Sequence, residues 1–206
     1  GYYLSNVYNT KWFSADTEME AGCGIAPIKY KNKSMVHAWQ WAIGLEWYPM
    51  VEDPWRIAMS TDHPNGGSFL AYPQIIRLLM DCTYRQDVLK TVNAKVAGTT
   101  ALKDIDREYS LNEIAIITRA APARMLGLAN KGHLGVGADA DITIYTPHEN
   151  KEIMFELPRY VIKGGETIVE EGEIRTAPIG KLLHVSPDYD RDAETQLAEW
   201  FEPYYS

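Results

Sequence analysis

The texture of this chain changes at about residue 130, and that change sets the fold class. Upstream, apolar residues recur with helical spacing. In residues 33–47, KSMVHAWQWAIGLEW, Met35, Val36, Trp39, Ala42 and Ile43 repeat at three- and four-residue steps, which predicts a helix ended by Pro49. A second helix is expected from Pro73, whose fixed φ suits a first helical position, continuing past Cys82 to Val92. Ser110 and Glu113 have the spacing of a capping box, opening a helix through LNEIAIITRAAPARMLGL that Pro122 interrupts and Gly127 stops. Between the first two helices, Asp53-Pro54 turns the chain and residues 56–60 read as a short buried strand. Downstream, Gly132, Gly135 and Gly137 precede a strand at 141–145. Residues 159–162, the turn KGGE and residues 167–170 then read as a β-hairpin. Strand, loop and helices followed by a small strand-rich module is an α/β class with an all-β appendage.

Composition narrows the function classes. Twenty Lys and Arg against 28 Asp and Glu give a net charge of −8, which argues against nucleic acid or an anionic membrane as main partner. Cys23 and Cys82 are too few for a disulfide framework or a thiolate zinc site, so a reducing, cytoplasmic setting is expected. No apolar run approaches the roughly 20 residues that span a bilayer. The first residue is Gly1 rather than Met and the opening GYYLSNVYNT is aromatic, so a piece of a longer chain is expected.

Chemistry concentrates in STDHPNGG, residues 60–67, where a short apolar stretch runs into Asp-His and a glycine-bearing loop. At the mouth of a (β/α) barrel, strand ends of this kind point side chains into the site. Asp62 could hold a cation or exchange a proton with water, His63 could add a ring nitrogen, and Asn65 could orient a substrate with its amide. The competing reading is a tight turn in which Asp62 and Asn65 bond their own backbone and His63 is exposed before Pro64. Cys23 lacks a neighbouring base. His37, His133, His148 and His184 are scattered, with no HxH or HExxH spacing to bring two imidazoles to one ion. GHLGVGAD precedes a strand instead of opening a helix, which rules out a phosphate loop. Trp39, Trp41, Trp47 and Trp55 read as packing, and the acidic tail offers Leu197, Trp200 and Phe201 as an apolar edge for a partner.

The stretch AAPARMLGLANKGHLGVGADADITI, residues 120–144, resembles the C-terminal signature of the amidohydrolase superfamily, and RYVIKGGETIVEEGEIR resembles its closing hairpin. Within that superfamily, DPW, STDHPNGG and YPQII together resemble the A-type subunits of formylmethanofuran dehydrogenases and their bacterial relative, the alpha subunit of formyltransferase/hydrolase complexes. The likeness runs from about residue 18 to about residue 190.

The resemblance implies the C-terminal portion of a distorted (β/α)8 barrel in residues 1–130, strands of a small β-sandwich in 131–180 and an acidic tail in 181–206. It implies a dinuclear zinc site, a formyl amide of a one-carbon carrier amine as substrate, and other subunits of such a complex as partners. Asp62 matches the family's metal-ligating, proton-shuttling aspartate at the end of the last barrel strand. His63 and Asn65 share its loop as substrate-binding candidates. The family's paired histidines, bridging lysine and other histidine ligands have no counterpart in residues 1–60. This polypeptide alone is therefore expected to be inactive unless an N-terminal piece complements it. Two alternatives stand beside this reading: a cyclic-amide hydrolase of the dihydroorotase or hydantoinase kind, and a non-catalytic assembly subunit in which Asp62 is idle.

Overall fold

The computed structural model describes residues 30–61, 68–184 and 190–205. Helix α1 (Met35–Met50) starts on Ser34, whose hydroxyl accepts the His37 N–H, and buries Ala38, Ala42, Leu45 and Pro49. The expected stop at Pro49 is one residue early. A proline in the last turn forfeits one N–H, and the Val51 N–H still closes the helix on the Trp47 carbonyl.

The second expected helix is two. α2 (Tyr72–Met80) carries Pro73 in its first turn and ends at Asp81, whose extended backbone (φ −137°, ψ 93°) breaks the run. The Asp81 carboxylate then accepts the Tyr84 N–H and caps α3 (Cys82–Leu89). Asn93 caps the short α4 (Ala94–Thr99), which packs on α1. Glu46 of α1 accepts the Thr100 hydroxyl and, at 2.7 Å, the Ala101 N–H, fixing the 3-10 turn Ala101–Lys103.

The capping box forms as the sequence predicts: the Ser110 hydroxyl receives the Glu113 N–H, and the Glu113 carboxylate receives the Ser110 N–H. It opens α5 (Leu111–Ala115). The helix then passes through a π turn (Ile116–Ala120) into α6 (Ala121–Met125), so Pro122 widens the helix where a break was expected. The buried core joins these elements through Ala42, Leu79, Val96, Leu102, Ile114 and Ile117, and every member lies upstream of residue 125.

Beyond it, β1 (Ile142–Ile144), α7 (Lys151–Glu156), β2 (Tyr160–Lys163), β3 (Glu166–Glu170) and β4 (Glu173–Ile174) follow in turn, and the four strands form one antiparallel sheet in sequence order. Gly164 and Gly165, at φ 58° and 87°, supply the left-handed backbone that a two-residue hairpin requires. None of the strand residues is fully buried. α7 lies against α2, where Arg77 meets Glu152 at 3.3 Å. The tail helix α8 (Arg191–Tyr205) leaves Leu197, Trp200 and Phe201 largely exposed.

Residues 56–60 depart from expectation. Ile57 is extended, at φ −125° and ψ 140°, yet residues 57–61 pair with no strand among the described residues, and Arg56 belongs to the 3-10 turn Pro54–Arg56. Apolar runs encode backbone shape, whereas a sheet also needs a neighbouring strand. Of the five residues only Met59 is buried.

Gly132 shows why the glycine-rich turn has its composition. At φ 77°, a Cβ on it would stand 2.7 Å from the Ala123 Cβ and 2.9 Å from the Arg119 carbonyl oxygen. Gly132→Ala is expected to destabilise the subunit by about 2–4 kcal/mol, combining backbone strain with a backbone clash. Thermal denaturation measures this, and an unchanged midpoint would show that the turn can move away from the helix.

Candidate functional site

The approach to STDHPNGG is built from helices. Asp53 accepts the Trp55 N–H at 3.0 Å and turns the chain through Pro54–Arg56. Ile57 is extended, and beyond it both backbone groups of Met59 are held. The Met59 N–H donates to the Ile117 carbonyl at 2.8 Å, and the Tyr72 hydroxyl donates to the Met59 carbonyl at 3.4 Å.

The acceptor at Ile117 exists because of local sequence. In the π turn the Ala121 N–H reaches back five residues to the Ile116 carbonyl. The donor that would continue this pattern onto Ile117 is residue 122, a proline with no N–H. Ile117 is fully buried, so its carbonyl needs a partner from elsewhere, and Met59 supplies one.

The chain from residue 68 onward is fixed as well. Ser68 accepts the Leu70 N–H at 3.1 Å and caps the 3-10 turn Phe69–Ala71, which delivers Tyr72 into α2. Tyr48 sits in the last turn of α1, and its carbonyl accepts the Tyr109 hydroxyl at 2.6 Å. Burial pushes the Tyr48 phenol above the ordinary tyrosine value, and neighbouring Tyr72 adds to this while the Ser60 amide opposes it. Arg107 lies across the end of the same helix, reaching the Pro49 carbonyl at 3.2 Å and the Val51 carbonyl at 2.7 Å. It also pairs with Glu113 at 2.7 Å. Burial pushes the Glu113 carboxyl up, but the Ser110 amide and hydroxyl together with Arg107 bring it below its usual value.

Asp62, His63 and Asn65, the residues singled out in the sequence, lie outside the described residues, as does Cys23. The other candidates are engaged locally. His133 bonds the Ala129 carbonyl and accepts the Gly135 N–H within its turn, and His148 accepts the Asn150 N–H. His37 accepts the Lys31 N–H and stacks on Tyr30. Among the described residues no group of three or more His, Cys, Asp or Glu side chains could hold a metal ion, so these residues by themselves do not fit the family's metal centre.

A cleft of about 340 Å³ lies between Trp55, Arg124 and the 127–133 turn. Beside it, Lys131 binds Asp139 at 2.6 Å and Asp141 at 2.8 Å. The bonds from Lys131, then from Lys163 and the Gly164 amide, hold the Asp141 carboxyl well below the carboxylate range and dock the hairpin tip. That cluster is structural. The contact of Tyr72 with Met59 was not legible: Tyr72 opens YPQII, which marks the resemblance without pointing to a role, and no spacing rule links residue 59 to residue 72.

The sequence pattern of the amidohydrolase family matches residues 4–169. The chain is 40% identical over 192 residues to the A component of the Fhc formyltransferase/hydrolase complex of Methylorubrum extorquens, covering 93% of this chain and 35% of that protein. It is 40% identical over 217 aligned positions to protein FwdA of Methanocaldococcus jannaschii, covering 100% of this chain and 38% of that protein. Its structure matches a chain of the crystal structure of the M. extorquens FhcABCD complex with methylofuran, with a TM-score of 0.75 and 40% identity, over 86% of this chain and 32% of that one. The chain thus spans about a third of the length of these relatives. No described helix is long and apolar enough to cross a membrane. On the extent of the family match, this chain belongs to the amidohydrolase family.

Proposed function

We propose that this chain is the C-terminal part of a formyl-amide hydrolase that acts on a furan-type one-carbon carrier within a cytoplasmic multisubunit complex. The observation that carries this reading is 40% identity, sustained over 93% and 100% of the chain, to a formyltransferase/hydrolase complex component and to FwdA. In this reading residues 1–130 complete a (β/α)8 barrel, 131–180 contribute strands to a small sandwich, and 181–206 form a tail. One face of α1 supports the incompleteness. Val36, Ile43, Trp47 and Met50 are exposed on the side opposite buried Ala38, Ala42 and Leu45. A helix apolar on two faces fits one packed between this core and further polypeptide of the same subunit.

The reaction is hydrolysis of the formyl amide, or its reversal. Water attacks the formyl carbon, a C–O bond forms, the C–N bond breaks, and formate and the free amine result. Asp62 takes the proton from the attacking water and returns it to the departing amine nitrogen. His63 and Asn65, in the same loop, contact substrate. A metal ion, zinc in this reading, would take Asp62 as one donor with the others supplied by polypeptide outside this chain, and would polarise the formyl oxygen.

The test is a substrate comparison with the full-length subunit in its complex. Release of formate from a formylated carrier amine, with no opening of dihydroorotate or hydantoin, is the expected result. The reverse preference establishes the cyclic-amide alternative, and inactivity on both, with no zinc in the intact complex, establishes a scaffold.

A further inference from the structure

We propose that α8 is the element through which this chain docks in its complex, seating an apolar stripe in an apolar, basic-rimmed groove of a different subunit. This rests on the reading of the chain as part of a multisubunit assembly, and it adds the surface that joins the chain to that assembly.

The start of α8 is well specified. The Asp190 carboxylate accepts the Asp192 N–H at 2.9 Å and the Ala193 N–H at 3.2 Å, and Asp192 and Glu194 suit the positive end of the helix. Yet from residue 191 to residue 203 only Ala193 is partly covered, and no other described element packs extensively on the helix. A lone helix of this length is marginal in water, so it takes its stability from what it docks on. With 3.6 residues per turn, Ala193, Leu197, Trp200 and Phe201 fall on one stripe roughly 100° wide. That is the anchor spacing of helices that lie in an apolar groove. Leu197 and Trp200 are 55% and 63% exposed, and the Trp200 and Phe201 rings meet edge to face at 5.0 Å, so the stripe ends in one aromatic knob. Tryptophan is among the residues on which binding energy concentrates once buried.

Charge and the reach of the family pattern identify the occupant. Residues 190–205 carry five carboxylates, at Asp190, Asp192, Glu194, Glu199 and Glu202, against one cation, Arg191, and Glu194 borders the stripe. The complementary surface therefore has a basic rim, and a second copy of a chain with net charge −8 is a poor match. The amidohydrolase pattern stops at residue 169, so β4, the arm after it and α8 lie beyond it. Likeness to FwdA nevertheless covers the whole chain, and likeness to the Fhc component covers 93% of it. A segment shared with a complex component but lying outside the hydrolase pattern fits assembly between subunits better than completion of the hydrolase fold.

The test uses the full-length subunit in its complex. Leu197→p-benzoylphenylalanine, illuminated in the assembled complex, is expected to cross-link to a different subunit at an apolar site flanked by Lys or Arg, as read by peptide mass spectrometry. A cross-link to upstream polypeptide of the same subunit, to a second copy of this chain, or to nothing overturns the proposal. In a second arm, a complex carrying Leu197→Ala and Trp200→Ala should release this subunit about 100-fold faster on dilution, while Val136→Ala, fully exposed outside α8, should leave the rate at wild type. A wild-type rate for the double variant, or equal loss in the control, also overturns it. Formate release in the same preparations separates docking from function. A complex that cross-links as expected but releases no formate from a formylated carrier amine leaves the docking standing and removes the activity. One that turns over but links only within its own subunit does the reverse.

Discussion

Asp62→Asn in the full-length subunit is expected to lower formyl-amide turnover by roughly 10³-fold or more, at the upper end of what one positioned proton-transfer group supplies. The substitution conserves shape and hydrogen-bonding capacity but leaves an amide that cannot take a proton from water at neutral pH. KM should change by a few-fold at most, because the carboxylate acts on the attacking water more than on the resting substrate. Zinc content of the assembled complex should be retained or fall modestly, since most donors come from elsewhere in this reading. The measurement is steady-state formate release with metal analysis of the same preparation. Turnover within about tenfold of wild type would remove Asp62 from the chemistry and return STDHPNGG to the tight-turn reading, with Asp62 and Asn65 bonding their own backbone. The Asp62 result decides whether residues 60–67 carry chemistry at all.

Local signals in this chain were legible where one or two adjacent residues decide the backbone. Ser110 and Glu113 form the capping box that their spacing predicts, and Gly164-Gly165 form the hairpin turn. Asp81 carried a readable signal that the expected single helix obscured: a short carboxylate ahead of Cys82-Thr83-Tyr84 caps a new helix, and apolar continuity across it was misleading. Residues 56–60 failed for a different reason. The extended shape is real at Ile57, but whether such a segment joins a sheet is settled by residues far away in sequence, here Tyr72 and Ile117. The π turn belongs to the same class. Pro122 announces a disturbance, yet whether the helix breaks or widens depends on a buried acceptor finding Met59 across about 58 positions. The family signature was legible throughout residues 120–144, and the clash a Cβ would make at Gly132 gives one of its glycines a packing reason.

Arg85→Met is expected to destabilise the subunit by about 3–5 kcal/mol. Arg85 is fully buried, and among the described residues no carboxylate is bonded to it. Its guanidinium donates to the Leu78 carbonyl at 2.8 Å, the Ile105 carbonyl at 3.1 Å and the Arg107 carbonyl at 2.9 Å. Leu78 lies in the last turn of α2, where unpaired carbonyls concentrate partial negative charge, so a cation there is favourably placed. Methionine fills similar space but leaves three carbonyls without this donor, each carrying a desolvation cost of about 1–3 kcal/mol unless water enters. Lysine keeps the charge but concentrates its donors at one point instead of a planar fork, so Arg85→Lys should fall between wild type and Met. Thermal midpoints of the three forms, read in one buffer, decide the order, and a drop of roughly 10 °C for Met is expected. A Met variant as stable as wild type would mean that water satisfies the carbonyls. Arg85 also holds the backbone of Arg107, whose own guanidinium spans the carbonyls at the end of α1.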